Sequence, residues 1–195
     1  PAKLAKPNPL ATFAYYSAAQ EVTSVPIVVQ DLPEQTGVHL DPSFIAKLHT
    51  ELPDAKYLKL EDPPTPQKVT RVVEATLGSM GIFGGLGGSF LYEELRRGAI
   101  GTMTGFAYPE VLVAIHRYMA RGDIERARSI FYKWIPLIRY ENSAGISLAV
   151  RKEILKHRGF ITTSDVRPPT PPIGDDTKEE LVDLMNAMDL SVENL

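Results

Sequence analysis

Lys56-Tyr57-Leu58-Lys59-Leu60-Glu61, followed by Pro66 to about Leu77, is the stretch from which the fold is read. The first segment has strand character, and the second opens on proline and continues as a helix. Side chains alternate along a strand, so Tyr57, Lys59 and Glu61 share one face while Leu58 and Leu60 share the other. The apolar pair suits a face covered by helices. That leaves a lysine and a glutamate on the opposite face, near the strand's C-terminal end.

Working outward, the same unit recurs. Upstream, Pro26-Ile27-Val28-Val29-Gln30 is a short β-branched run closed by Asp31-Leu32-Pro33, with the composition of a buried parallel strand. It is followed by a helix from Pro42 to about Leu52 with Asp41 as its N-cap. Leu10 to Ala19 carries apolar and aromatic residues at helical spacing and predicts a helix before the first strand. Downstream, Gly81 to Gly84 predicts a strand, Phe90 to Arg97 a short helix, Ile100 to Thr104 a strand and Pro109 to about Arg121 a helix. Repeated strand-then-helix units give an α/β fold with a parallel sheet, because each parallel crossover must pass over a face of the sheet.

From Asp123 the pattern becomes purely helical: Asp123 to about Asn142, Ala144 to about His157, and Thr177 to about Met188. Arg167-Pro168-Pro169-Thr170-Pro171-Pro172-Ile173-Gly174 reads as a stiff linker between the last two. Four parallel strands followed by helices suit a small doubly wound domain or the second half of an eight-stranded barrel, which normally needs about 250 residues. Composition does not separate the two; the residues at the strand ends do.

Composition sets outer bounds. The chain has 195 residues, of which 44% are hydrophobic and 23% charged, enough apolar content for a packed core. A formal charge of -3 offers no electrostatic reason to bind nucleic acid or an anionic membrane. With no cysteine, disulfides, thiolate nucleophiles, iron–sulfur clusters and cysteine-held zinc are excluded. No stretch approaches the ~20 apolar residues that span a bilayer. Pro1 to Pro7 lacks the apolar core of a signal peptide and does not begin with Met. The expectation is a cytoplasmic protein cut at its N-terminus.

The inner-face pair is where chemistry is expected. In α/β barrels catalytic groups sit at the C-terminal ends of the strands. A lysine held in a low-dielectric pocket has its charged form disfavoured, and its neutral amine attacks a carbonyl to form a Schiff base. Glu61, one pleat on, is placed to move protons. Spacing alone gives equal weight to an ordinary ion pair at a strand end.

Three segments carry a family resemblance. Pro26-Ile27-Val28-Val29-Gln30-Asp31-Leu32-Pro33, Tyr57-Leu58-Lys59-Leu60-Glu61 and Gly98-Ala99-Ile100-Gly101-Thr102-Met103-Thr104-Gly105 resemble strands five, six and eight of the dihydrodipicolinate synthase and N-acetylneuraminate lyase family. They stand in the right order and spacing. Met119 to Arg128, with Trp134-Ile135-Pro136-Leu137-Ile138 beyond, resembles that family's C-terminal part. Val-Gln-Asp before the strand-five proline, Lys-x-Glu on strand six and Met-Thr-Gly on strand eight look like the family's sugar-acid dehydratase branch, typified by 2-keto-3-deoxy-arabonate dehydratase. Aldolase and synthase members usually have a proton-relaying tyrosine where Gln30 stands. The family's common strand-six pattern places Glu directly after Lys, whereas here Leu60 intervenes.

The resemblance implies the C-terminal half of a TIM barrel, strands five to eight, over residues 1–122, with a C-terminal helical extension over 123–195. It implies Lys59 as the imine-forming lysine and Glu61 as a proton-transfer group. Gln30 and the backbone of Thr102, Met103, Thr104 and Gly105 would line the substrate pocket. The activity implied is a class I, Schiff-base dehydratase of a 2-keto-3-deoxy sugar acid, needing no metal or organic cofactor. The alternatives are a pyruvate-dependent aldolase or synthase, and a non-catalytic fragment that keeps the fold. Its partner would be a small-molecule 2-oxo sugar acid, with no nucleic acid and no membrane; the family commonly forms tetramers, which implies a homo-oligomer. By resemblance the chain begins where the family's fourth strand has just ended. Strand two, whose Ser, Thr and Gly groups hold the substrate carboxylate, would lie upstream, so this chain alone should be a poor catalyst.

Other signals have plainer readings. Gly84-Gly85-Leu86-Gly87-Gly88 lacks the Gly-Lys-Ser/Thr of a phosphate-binding loop and suits tight strand-to-helix turning. His39, His49, His116 and His157 are too dispersed for a local metal site. Asp175-Asp176 beside Glu179-Glu180 reads as helix N-terminal charge, and Phe131 and Trp134 as a packing stripe.

Overall fold

The structure, a computed structural model, describes residues 1, 3, 6, 8–188, 190–192 and 195. Two compact units emerge, Pro1–Gly85 with Glu93–Met103, and Leu86–Tyr92 with Thr104–Leu195.

The first unit alternates helices and strands. Helix α1 (Pro9–Glu21) leads into β1 (Ile27–Asp31), a single turn α2 (Pro33–Thr36) and helix α3 (Pro42–Glu51). Then come β2 (Ala55–Leu60), α4 (Thr65–Ala75), β3 (Gly81–Gly84), α5 (Leu91–Arg96) and β4 (Gly101–Thr102). The strands form one sheet in the order β1-β2-β3-β4, every pair parallel. This is the α/β architecture expected of repeated strand-then-helix units.

Register explains the two faces. Val29 pairs with Leu58 and Leu58 with Ile82, and all three are fully buried together with Ile45, Leu48, Val69 and Val72 from α3 and α4. Burying each such side chain contributes about 1.5–3 kcal/mol, which fixes the helix-covered face. A one-residue slip would turn every side chain over. One pleat on, Gln30, Lys59, Phe83 and Gly101 stand at one level on the opposite, inner face.

Helix ends follow local chemistry. Asp41 Oδ1 accepts from the Ser43 amide at 3.0 Å, which caps α3 as its sequence predicts. Helix α4 stops at Ala75, short of Leu77, because Leu77 turns to φ 51°, a conformation no right-handed helix accepts. The single turn α2 is closed by Gly37 at φ 69°; Pro33 four residues before a glycine is the signal that marks it.

The last strand is shorter than the expected Ile100 to Thr104. Its ladder partner β3 ends at Gly84, so the Met103 amide, 2.9 Å from the Gly84 carbonyl, makes the final rung and Thr104 has no strand residue to pair with.

The second unit is helical: α6 (Pro109–Ala120), α7 (Ile124–Glu141), α8 (Ser147–His157) and α9 (Asp175–Ala187). Asp123 caps α7 through the Arg126 amide. Phe131 and Trp134, read as a packing stripe, are buried along α7 together with Ile130, Leu137 and Ile138. Helix α8 begins at Ser147, later than Ala144, after Gly145 adopts φ 83°. Among the described residues no helix is long and apolar enough to cross a membrane.

Candidate active site

Adjacent parallel strands bring the ends of β1 and β2 side by side. Gln30 lies opposite Lys59 in the register, and Glu61 follows one residue after β2 ends at Leu60. Lys59 Nζ lies 3.2 Å from Glu61 Oε2, and the same oxygen accepts from Gln30 Nε2 at 2.7 Å. The lysine side chain keeps 23% of its surface exposed and the glutamate 12%, so the amine is reachable while the carboxylate is held. Three residues singled out from the sequence thus meet in one constellation on the inner face.

Glycine makes room for it. A Cβ added at Gly85 would overlap the Glu61 side chain from Cγ to the carboxyl group. The residue after β3 therefore has to lack a side chain if the carboxylate is to lie there. The glycine-rich segment is more than a turn: it accommodates a functional group.

The β4 segment divides. Thr102 pairs with Gly84, so its side chain alternates away from Lys59 onto the covered face, where its buried Oγ1 has no hydrogen-bond partner among the described residues. What Thr102 offers to the inner face is backbone. Met103 follows one residue after, tied by its amide to Gly84. Thr104 and Gly105 belong to the second unit, where Gly105 lies against the Arg151 guanidinium with no space for a Cβ. Arg151 is held in turn by the buried Glu141, its Nε 2.6 Å from Oε1, while Glu141 Oε2 accepts from the Ala107 amide at 2.9 Å. Burial pushes the Glu141 carboxyl up against the opposing pull of Arg151.

On the covered side of the same strand ends stand ionisable groups that sequence reasoning passes over. Asp31, fully buried at the end of β1, lies 2.6 Å from the ammonium of Lys68 on α4. That ammonium also meets Asp62 Oδ2 at 2.7 Å, and exposed His39 approaches Asp62 at 3.6 Å. Burial pushes the Asp31 carboxyl up, with Lys68 pulling the other way. Glu94 on α5, also buried, accepts from Thr65 Oγ1 at 2.5 Å, occupies the space a Cβ on Gly84 would take, and is pushed up to about 7 by that burial. The signal for the first group is the pair of dyads Gln30-Asp31 and Glu61-Asp62, since alternation sends the second member of each to the covered face.

The C-terminal ends of parallel strands, where α/β folds commonly place their sites, here carry a lysine, a carboxylate and an amide in contact. The sequence signature of the Dihydrodipicolinate synthetase family matches residues 4–188, and the chain belongs to that family. An L-2-keto-3-deoxyarabonate dehydratase from Azospirillum brasilense is 30% identical over 181 residues, which cover 91% of this chain and 57% of that relative. A 4-hydroxy-tetrahydrodipicolinate synthase from Methanopyrus kandleri is 29% identical over 180 residues, covering 90% and 58%. The crystal structure of a dihydrodipicolinate synthase from Rhodopseudomonas palustris superposes with a TM-score of 0.86 at 33% identity, covering 93% of this chain and 62% of that one. The chain thus spans less than two thirds of the length of these relatives.

Proposed function

We propose that this chain is the lysine-bearing C-terminal half of a (β/α)8 barrel, residues 1–122, with a helical extension over 123–195, and that it serves a Schiff-base dehydratase of a 2-keto-3-deoxy sugar acid. The observation that carries the reading is the contact of Lys59 Nζ with a Glu61 carboxylate that Gln30 holds from the neighbouring strand.

The amine of Lys59 attacks the substrate's C2 carbonyl, and loss of one water leaves an iminium. The iminium withdraws electrons from C3, whose proton passes to the Glu61 carboxylate. The resulting enamine expels the C4 hydroxyl, which takes the proton back from Glu61 and departs as water. Hydrolysis of the remaining imine frees the dehydrated 2-oxo product and restores Lys59. Because the iminium is the electron sink, the sequence of steps needs no metal or organic cofactor. Gln30 fixes the carboxylate through its Nε2–H, and the backbone of Thr102 and Met103 lines the substrate's path. We assign the enzyme to the cytoplasm and to a homo-oligomeric assembly.

The synthase relatives support a second reading, a pyruvate-dependent aldolase or synthase on the same lysine. Gln30 speaks against it, because an amide donates a hydrogen bond but does not relay a proton as a tyrosine hydroxyl does. Product analysis on the parent protein, together with any sequence upstream of this chain, separates the two. Dehydration yields a 2-oxo product one water lighter than the substrate and no pyruvate; released pyruvate would overturn the dehydratase assignment. Glu61→Gln should lower turnover by at least about a hundredfold and leave imine formation detectable.

A further inference from the structure

The last rung of the β1 to β2 ladder is the Glu61 amide donating to the Asp31 carbonyl at 2.9 Å. Both sides of that rung are tied. On the inner face Gln30 Nε2 meets Glu61 Oε2; on the covered face the Lys68 ammonium meets Asp31 and Asp62 together. Each residue of the inner tie is followed directly in sequence by one of the outer tie.

We propose that Lys68 is a positioning residue for the candidate site: by holding Asp31 and Asp62 on one ammonium, it sets the distance between the ends of β1 and β2 and thereby the Gln30 to Glu61 contact. The functional part of this inference rests on the Schiff-base reading above; the structural part does not.

The physical case is one of burial and like charge. Asp31 has no exposed surface, and the side chains of Lys68 and Asp62 are only 11% and 17% exposed. Losing one partner of a buried ion pair leaves an uncompensated charge. Without the ammonium, two carboxylates at adjacent strand ends face each other in a poorly solvated space. They relieve that by separating or by taking up a proton. Separation stretches the terminal rung and draws Gln30 from Glu61, although neither touches Lys68. The ammonium comes from the second turn of α4, whose Val69 and Val72 are fully packed, so its position is anchored by the hydrophobic core. Other charged groups around the cluster are His39, 3.6 Å from Asp62, and Asp41 and Arg71, which share the cavity lined by Lys68 and Asp62.

The test uses Lys68→Met, with Asp62→Asn as a second variant that removes one arm at a partly exposed position. The first readout needs no activity: amide hydrogen exchange at Glu61 and the side-chain amide resonance of Gln30. We expect Lys68→Met to speed Glu61 exchange at least tenfold and to shift the Gln30 signal, with Asp62→Asn showing the same changes in smaller measure. The second readout is catalytic, in the parent protein: kcat should fall at least tenfold while KM and borohydride trapping of Lys59 change less than threefold, and Lys68→Arg should recover part of the loss. Unaltered Glu61 exchange and an unaltered Gln30 signal in a folded variant would overturn the inference. If Lys68→Met does not fold, the Asp62→Asn measurements decide by the same criteria. If the wild-type protein shows neither imine nor dehydration, the functional reading fails, while the exchange data still decide whether Lys68 sets the strand ends.

Discussion

The two sides of the same strand ends use similar residues for different ends. On the inner face Lys59 meets one carboxylate at 3.2 Å and keeps 23% of its side chain exposed. On the covered face Lys68 meets two carboxylates, at 2.6 and 2.7 Å, and keeps 11%. A lysine that must react needs an accessible nitrogen and a partner able to take a proton. A lysine that must hold needs desolvated partners on several sides and no access. The pleat separates the roles by one residue: Gln30 and Glu61 face inward, Asp31 and Asp62 face the helices. On the proposed function, position on the strand, more than residue type, divides reactivity from restraint.

The largest expected effect falls on the inner face. Lys59→Arg keeps a positive charge beside Glu61 but stays protonated and cannot form an imine, so turnover by the parent protein should fall by at least about a thousandfold. Activity within tenfold of wild type would erase the distinction between the faces.

Next comes the covered side, read through pH. Burial holds the Glu94 carboxyl at about 7, above its ordinary 4.5. The folded state therefore binds the proton more tightly than the unfolded chain. The associated stability is full below pH 4.5 and is lost as pH rises through 7. Glu94→Gln lacks this titration, so its stability relative to wild type should increase by about 2 to 3 kcal/mol between pH 5 and pH 8 in urea unfolding. A pH-independent difference would mean the buried carboxylate does not titrate in that window.

Gly85→Ala probes the boundary between the faces. Its methyl group would displace the Glu61 side chain, and on the proposed mechanism a misplaced Glu61 should lower kcat by about tenfold or more, with imine trapping retained. The smallest effect belongs to the solvent-facing cap of α3. Asp41→Ala, which removes the bond to the Ser43 amide, should cost about 1 kcal/mol of stability in urea unfolding.

Much of this could be read in the sequence because it depends on local pattern. Alternation in Lys56 to Glu61 separates Leu58 and Leu60, both fully buried, from the partly exposed Lys59. Prolines at helix starts and Asp41 as a cap mark the helices. Less legible features depend on distance partners. The short β4 follows from where β3 ends, which Ile100 to Thr104 do not encode. Lys68 lies at an ordinary helix position, and only the fold brings it to Asp31 and Asp62. Gly84 and Gly85 read as turn residues, yet each leaves space for a carboxylate from elsewhere in the chain, Glu94 and Glu61 respectively.

The decisive measurement is borohydride reduction of the parent protein in the presence of a 2-oxo acid, followed by peptide mass mapping. A covalent adduct is expected on Lys59 alone, absent in Lys59→Arg and present in Lys68→Met. No adduct at Lys59, or one spread over the exposed surface lysines, would contradict the Schiff-base mechanism.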